Sequence, residues 1–350
     1  MRISIYIDGI KGGGAERFAT LLSAGLVERN NDVRLLTGAK QEEEYDLSPA
    51  VKREILYCKR SYLKNACYLH KYNKYNSIDV CISIGIYANL VAVLSSANSS
   101  TKFVLSERND PQHDKLSWRS KLLRKLLFWK GDGFVFQTQD AKSFYSKRIQ
   151  AKGIVIPNPV SDCLPMRSNK HNKEIVSVGR LMPQKNYKLL LNSFALVVKR
   201  HPDYKLRIFG QGKMEAELVS LVRRLHIERN VFFEGFTKKV HELIKDSDIY
   251  ILSSTYEGMP NSLIEAMAMG FPVISTDCPC GGPKSLIKNR ENGLLVPVDN
   301  VTALSESIST FIENPELKEQ CANKAKEIKN FLSLKNIIDK WVLFINETRK

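Results

Sequence analysis

Two carboxylates eight residues apart, one in a loop and one inside a helix, are the arrangement in this chain best suited to holding a polyhydroxylated ligand. The run Ser253-Ser254-Thr255-Tyr256-Glu257-Gly258-Met259-Pro260-Asn261-Ser262-Leu263-Ile264-Glu265-Ala266-Met267-Ala268-Met269-Gly270 follows a strand candidate, Asp248–Ser253. Glu257 falls in the loop, and Gly258 lets backbone approach a ligand closely. Pro260 and Asn261 suit a helix start, which places Glu265 about one turn inside. There a carboxylate accepts hydrogen bonds from hydroxyls. The backbone amides from Gly258 to Leu263 gather at a helix N-terminus, where an anion is favoured. A carboxylate for hydroxyls beside amides for phosphate is the chemistry a nucleotide sugar needs. Each glutamate taken alone reads first as a surface carboxylate; the whole string in its strand–loop–helix context does not.

A second string, Gly179-Arg180-Leu181-Met182-Pro183-Gln184-Lys185-Asn186, follows the strand candidate at 174–179. Arg180 and Lys185 then sit at a strand's carboxyl end near the next helix, and a guanidinium, an ammonium and helix amides suit a diphosphate. The alternative is a pair of solvated cations on a loop. A third string, Gly12-Gly13-Gly14-Ala15-Glu16, links the first strand to a helix. It is not the dinucleotide fingerprint, since Arg17 stands where a glycine is required, nor a P-loop, since no Gly-Lys-Ser/Thr follows. It serves either a ligand or a tight strand–helix turn.

These strings need strands to carry them. Short apolar runs alternate with helical stretches at 3–7, 33–37, 79–84, 102–106, 133–136 and 154–156. After Pro157-Asn158-Pro159 and a polar stretch at 161–173, read as a linker, the alternation restarts at 174–179, 205–210, 231–234, 248–253, 272–276 and 293–296. This pattern means α/β with two doubly wound parallel sheets. The expected division is 1–165, 166–330, and a C-terminal helix at 331–350 packing back on the first domain. Ligands of such sheets bind outside the carboxyl ends of the strands, so a central cleft between the domains is the natural site. The length of 350 residues, at 43% hydrophobic and 26% charged, supports two cores and excludes disorder. No run is long and apolar enough for a membrane span, and the start lacks the apolar region of a signal peptide. The seven cysteines show no metal-ligand spacing and read as reduced thiols.

The Glu-x7-Glu string, the Gly-Arg-Leu…Lys-Asn string and the glycine loop after the first strand resemble family 4 of the GT-B glycosyltransferases, in order over nearly the whole chain. Gly-Gly-Gly-Ala-Glu-Arg, Ser106-Glu107-Arg108-Asn109-Asp110-Pro111 and Cys280-Gly281-Gly282-Pro283 resemble the bacterial branch that extends lipid-linked oligosaccharides for O-antigen (lipopolysaccharide), capsule or N-glycan. The resemblance implies a retaining transfer from a UDP-sugar without a bound metal or other cofactor. Arg180 and Lys185 would neutralise the departing diphosphate, Glu265 would hold the ribose, and Glu257 would hold and orient the sugar. Amides around Asn261, Ser262 and Leu263 would meet the distal phosphate. The base would lie near Gly210 and Phe236, with Gly13 and Gly14 facing donor and acceptor. Where many members carry a first-domain histidine, this chain has Arg108. Glu107, Arg108 and Asn109 become the sugar or acceptor contacts to examine, the alternative being a structural ion pair.

The charge is +16, from 53 Lys and Arg against 37 Asp and Glu. Residues 1–160 contain 25 basic and 15 acidic side chains. Residues 113–130, read as a helix, place Leu116, Leu123, Leu126 and Leu127 on one side, with Arg119, Lys121, Arg124, Lys125 and Lys130 for charge and Trp118 and Trp129 as interfacial rings. Residues 57–75 intersperse Tyr57, Tyr62, Tyr68, Tyr72 and Tyr75 with Lys59, Arg60, Lys64, Lys71 and Lys74. Both fit an anionic membrane surface or a lipid diphosphate, and both also fit ordinary helices with cationic outer faces. Nothing resembling an RNA-binding motif accompanies them, so no nucleic-acid partner is expected. The expectation is a cytoplasmic enzyme, peripheral on the inner face of the membrane, with a lipid-linked glycan acceptor. A non-catalytic GT-B-like binding protein and a sugar-nucleotide epimerase of the same fold are the alternatives.

Overall fold

The structure is a computed structural model that describes residues 1–11, 13–38, 44–56, 61–114, 116–161, 163–168, 170 and 172–349. Gly12, Tyr57, Lys59 and Arg60 lie outside the described residues. The chain divides into two units, Met1–Pro159 with Leu332–Lys350, and Val160–Phe331.

In the first unit seven parallel strands, β1 (Arg2–Ile7), β2 (Asp32–Thr37), β3 (Lys52–Ile55), β4 (Val80–Ile84), β5 (Lys102–Ser106), β6 (Gly133–Phe136) and β7 (Gly153–Val155), lie in the order β3-β2-β1-β4-β5-β6-β7. The inner strands are largely apolar because helices cover both faces; every residue of β4 is buried. β3 breaks that rule. It is an edge strand of sequence Lys-Arg-Glu-Ile with little burial, and it carries no apolar signal in the sequence. The helix Leu334–Arg349 closes the unit against the helix Gly14–Val27. Trp341 is completely buried with its ring 5.7 Å from Phe18, and Ile338 fills the space where a Cβ on Gly25 would stand, 2.6 Å from its Cγ1.

In the second unit six parallel strands, β8 (Glu174–Val178), β9 (Lys205–Phe209), β10 (Val231–Gly235), β11 (Ile249–Leu252), β12 (Val273–Thr276) and β13 (Leu294–Val296), lie in the order β10-β9-β8-β11-β12-β13. The core gathers Ile175, Leu190, Phe194, Ile208, Ile251 and Phe311, among others, between the sheet and its flanking helices. The polar stretch 161–173 is not the loose linker its composition suggests. Arg167 is buried, its amide donates to Met269 O at 2.7 Å, its Nε donates to Gly270 O at 2.9 Å, and its Nη2 bonds both carboxylate oxygens of Glu319 at 2.7 and 2.8 Å. One paired guanidinium thus fastens the strap to the second unit.

Strand order sets where a ligand goes. It reverses between β1 and β4 in the first sheet and between β8 and β11 in the second. Loops leaving adjacent strands at such a reversal run to opposite faces and open a crevice. The Gly179 string leaves β8 and the Glu257 string leaves β11, so both flank the reversal of the second sheet.

Candidate active site

The loops after β8 and β11 are laced together. Thr255 N donates to Gln184 O at 2.9 Å, Gln184 Nε2 to Tyr256 O at 3.0 Å, and Ser253 Oγ to Lys185 O at 2.9 Å. Pro183–Lys185 forms a single 3-10 turn, ended by Asn186 in the left-handed region (φ 47°), whose side chain caps the helix Tyr187–Arg200 through Leu189 N. That turn aims Lys185 at the loop after β11. Its Nζ donates to Glu257 Oε1 at 2.6 Å, and Ser254 Oγ donates to the same oxygen at 2.7 Å. The two charged side chains retain only 14% and 10% exposure. Glu257 is thus a buried, doubly hydrogen-bonded carboxylate rather than a surface one. Its backbone is pinned as well, its amide donating to Pro279 O and its carbonyl accepting from Cys280 N. Arg180 is exposed and has no ion-pair partner among the described residues.

Close backbone packing shapes the same crevice. Gly210 has φ 138°, and a Cβ there would lie 2.0 Å from Gly179 O, so the end of β9 presses directly on the Gly179 turn. A Cβ on Gly282 would lie 2.2 Å from Gly258 O, and Gly258, Met259 and Pro260 are all buried beneath that contact. The helix Asn261–Met269 begins at Pro260 without a side-chain cap. Leu263 N, expected to meet a phosphate, already donates to Pro260 O at 3.1 Å, because the first turn is tight; Asn261 and Ser262, half-buried, stand at the helix opening. Glu265 lies farther along this helix with its side chain 14% exposed, and His241 Nε2 sits 3.0 Å from its Oε2. No sequence signal pointed to His241. Phe236, just past β10, exposes 61% of its surface.

In the first unit, Gly13 is the N-cap of the helix Gly14–Val27 and offers no side-chain cap, while its carbonyl accepts from Arg17 N. Glu107 and Arg108, at the end of β5, are turned inward rather than outward. Glu107 is 4% exposed; Tyr145 Oη donates to its Oε2 at 3.0 Å and Arg108 N to its Oε1 at 3.2 Å. Burial pushes its carboxyl up to about 7. The Arg108 guanidinium stacks 3.5 Å over the Phe18 ring and donates to Asn158 Oδ1 at 2.9 Å, and burial holds it below the usual arginine value. Cation–π stacking and an amide oxygen, with Trp341 at 5.5 Å, give that charge an internal home. Asn109 alone of the three is exposed.

The basic stretch at 113–130 is a shorter helix than expected, Trp118–Leu127, because Ser117 caps it through Ser120 N. Its inward face is narrow, with Ser120 the buried residue, so Leu126 turns outward. Arg124 is held by Asp114 and Pro111 O rather than free at the surface as expected, while the half-buried Trp129 lies under Arg148 at 3.8 Å. Trp118, Leu122 and Leu126, four residues apart, form an exposed apolar stripe flanked by the exposed Arg119, Lys121 and Lys125. In the helix Tyr62–Tyr75, Tyr62 makes a tilted ring contact with Tyr87 at 4.9 Å and Tyr72 accepts from Arg34, whereas Tyr68 and Tyr75 are exposed. Among the described residues no helix is long and apolar enough to cross a membrane, and no group of three or more His, Cys, Asp or Glu could hold a metal ion.

Two parallel α/β units of this strand order define the GT-B architecture. The fold superimposes with a TM-score of 0.83 on the crystal structure of Anabaena Alr3699/HepE in complex with UDP, over 99% of this chain and 100% of that one at 18% identity. The family model "Glycosyltransferase Family 4" matches residues 12–162, and "Glycosyl transferases group 1" matches residues 165–328. The chain belongs to the family 4 glycosyltransferases and is a glycosyltransferase. It is 29% identical to an uncharacterized glycosyltransferase of Haemophilus influenzae, covering 97% of this chain and 98% of the relative. It is 28% identical to the N-acetylgalactosamine-N,N'-diacetylbacillosaminyl-diphospho-undecaprenol 4-alpha-N-acetylgalactosaminyltransferase of Campylobacter jejuni, covering 93% and 94%.

Proposed function

We propose that this enzyme moves a hexose or N-acetylhexosamine from a UDP-sugar to a polyprenyl-diphosphate-linked glycan, with retention, in the synthesis of a bacterial surface polysaccharide or glycan. The observation that carries the donor assignment is the Lys185–Glu257–Ser254 knot beside the uncapped helix Asn261–Met269, at the strand reversal of the second unit. The UDP bound by the Anabaena structure and the undecaprenol-diphosphate acceptor in the Campylobacter relative's name support the choice of donor and acceptor.

In this reading Arg180 and Lys185 take up the charge that develops on the departing diphosphate, in a site where fixed cations act through low dielectric. That is the work a divalent cation performs elsewhere, and no cofactor is invoked. The helix opening at Ser262 receives the distal phosphate. Glu265 accepts from the ribose hydroxyls, Phe236 offers a face for the base beside Gly210, and Glu257 accepts from sugar hydroxyls. The acceptor hydroxyl attacks the anomeric carbon from the face the diphosphate leaves, and its proton passes to a leaving-group phosphate oxygen. No carboxylate nucleophile is required, in contrast to the two-carboxylate glycosidases. The first unit handles the acceptor, with Asn109 as its exposed polar contact. The stripe Trp118, Leu122 and Leu126 with its cations rests on anionic lipid at the cytoplasmic face of the membrane.

The test is acceptor-dependent UDP release by the purified protein across a panel of UDP-sugars. Activity with one donor that persists in EDTA and disappears in Glu265→Ala supports the reading. Activity abolished by chelator and restored by magnesium, or full activity of Glu265→Ala, refutes it.

A further inference from the structure

His241 has no part in the donor scheme above, yet it comes from a different segment to meet the residue assigned to the ribose. It stands on the short helix Val240–Ile244 after β10, 24 residues from Glu265 in sequence, and its Nε2 is 3.0 Å from Glu265 Oε2. Both side chains are mostly buried, at 23% and 14% exposure. An ionised carboxylate only accepts, so the imidazole Nε2 is the donor.

A glutamate on a helix ordinarily samples several rotamers and swings its terminal carboxylate about the last bond. Reading a vicinal diol needs carboxylate oxygens in one plane at one depth. A donor fixed on Oε2 from a second element removes that freedom before any ligand arrives. We infer that His241 is a positioning residue: it locks the Glu265 carboxylate in the orientation that accepts from the 2′- and 3′-hydroxyls of a ribonucleotide, and so sets the enzyme's preference for ribonucleoside over deoxyribonucleoside diphosphates. The inference rests on the assignment of Glu265 to the ribose. It adds that the selectivity is shared with a residue that touches neither sugar nor phosphate.

The experiment is calorimetric titration of UDP and of 2′,3′-dideoxy-UDP into the wild type, Glu265→Ala, His241→Ala and His241→Gln. A lost hydrogen bond to a charged group corresponds to about tenfold in affinity. His241→Ala is expected to weaken UDP about tenfold and leave dideoxy-UDP unchanged. His241→Gln, whose amide can still donate to Oε2, recovers most of the loss. Equal weakening of both ligands by His241→Ala, or no weakening of UDP, overturns the inference. If Glu265→Ala weakens UDP and dideoxy-UDP equally, or weakens neither, the ribose assignment falls. If Glu265→Ala weakens UDP but not dideoxy-UDP and His241→Ala shows no such difference, that assignment stands and the role of His241 alone is rejected. Thermal melting of each variant without ligand separates these outcomes from misfolding.

Discussion

Truncating Lys185 tests whether the knot at the strand reversal is both structural and chemical. The ammonium and the Glu257 carboxylate are 2.6 Å apart and nearly nine-tenths buried, so water screens the pair little. Removing the cation leaves a buried carboxylate whose hydrogen bond from Ser254 Oγ, at 2.7 Å, is its remaining side-chain support. Breaking a buried pair on one side costs roughly 3–5 kcal/mol, and the serine places this case near 3. For a unit the size of Val160–Phe331 each kcal/mol is worth about 2–4 °C, so Lys185→Ala should melt about 6–12 °C lower. Lys185→Met with Glu257→Gln replaces the pair by neutral groups of similar volume and should recover most of that stability. Neither variant should transfer sugar, because both lack one of the two cations, Lys185 and Arg180, that the proposal sets against the leaving group. The assay pairs differential scanning fluorimetry with UDP release. If Lys185→Ala melts like the wild type, the pair is effectively solvated and the energetic argument fails. If the neutral double variant retains transfer, the charge has no part in catalysis.

Glu107 supplies a pH prediction. Its carboxyl is raised from 4.5 to about 7 by burial, so the folded state holds a proton that the unfolded chain releases sooner. The associated stability is complete below about pH 4.5 and is lost as pH rises through 7, a change on the order of 3 kcal/mol. Wild type should therefore lose stability relative to Glu107→Gln between pH 5 and 8 in urea titrations; parallel curves would show that the carboxyl ionises freely. At the surface, replacing Trp118, Leu122 and Leu126 by serine should cut sedimentation with anionic vesicles by about tenfold or more. Transfer to a soluble acceptor analogue should persist, and unchanged vesicle binding would remove this stripe from the membrane assignment.

The architecture was legible because inner parallel strands are buried on both faces and spell themselves as apolar runs. β3 escaped notice for the converse reason, since Lys52, Arg53 and Glu54 sit on an edge where burial is slight. Glu257 and Lys185 could be singled out by residue type and by the strands they follow. That they bond each other across 72 residues required the strand order, which local patterning does not contain. Arg108 shows the limit most clearly. Its position after β5 suggested an outward contact, but its partners, Phe18, Asn158 and Trp341, come from three distant segments. The strap around Arg167 looked like solvent-exposed linker because its buried guanidinium is compensated by Glu319, far along the chain. His241 is a lone imidazole on a short helix, and only its neighbour across the fold gives it meaning.

The return of the helix Leu334–Arg349 to the first unit has a consequence for biosynthesis. With Trp341 and Ile338 seated against Phe18 and Gly25, the helix Gly14–Val27 keeps an uncovered apolar flank until residues 334–349 leave the ribosome. The intervening 160–331 portion contains all its own strands and can mature while that flank waits. Nascent chains stalled shortly before residue 334 would thus carry a second unit with all of its strands tethered to a first unit whose apolar flank is still exposed.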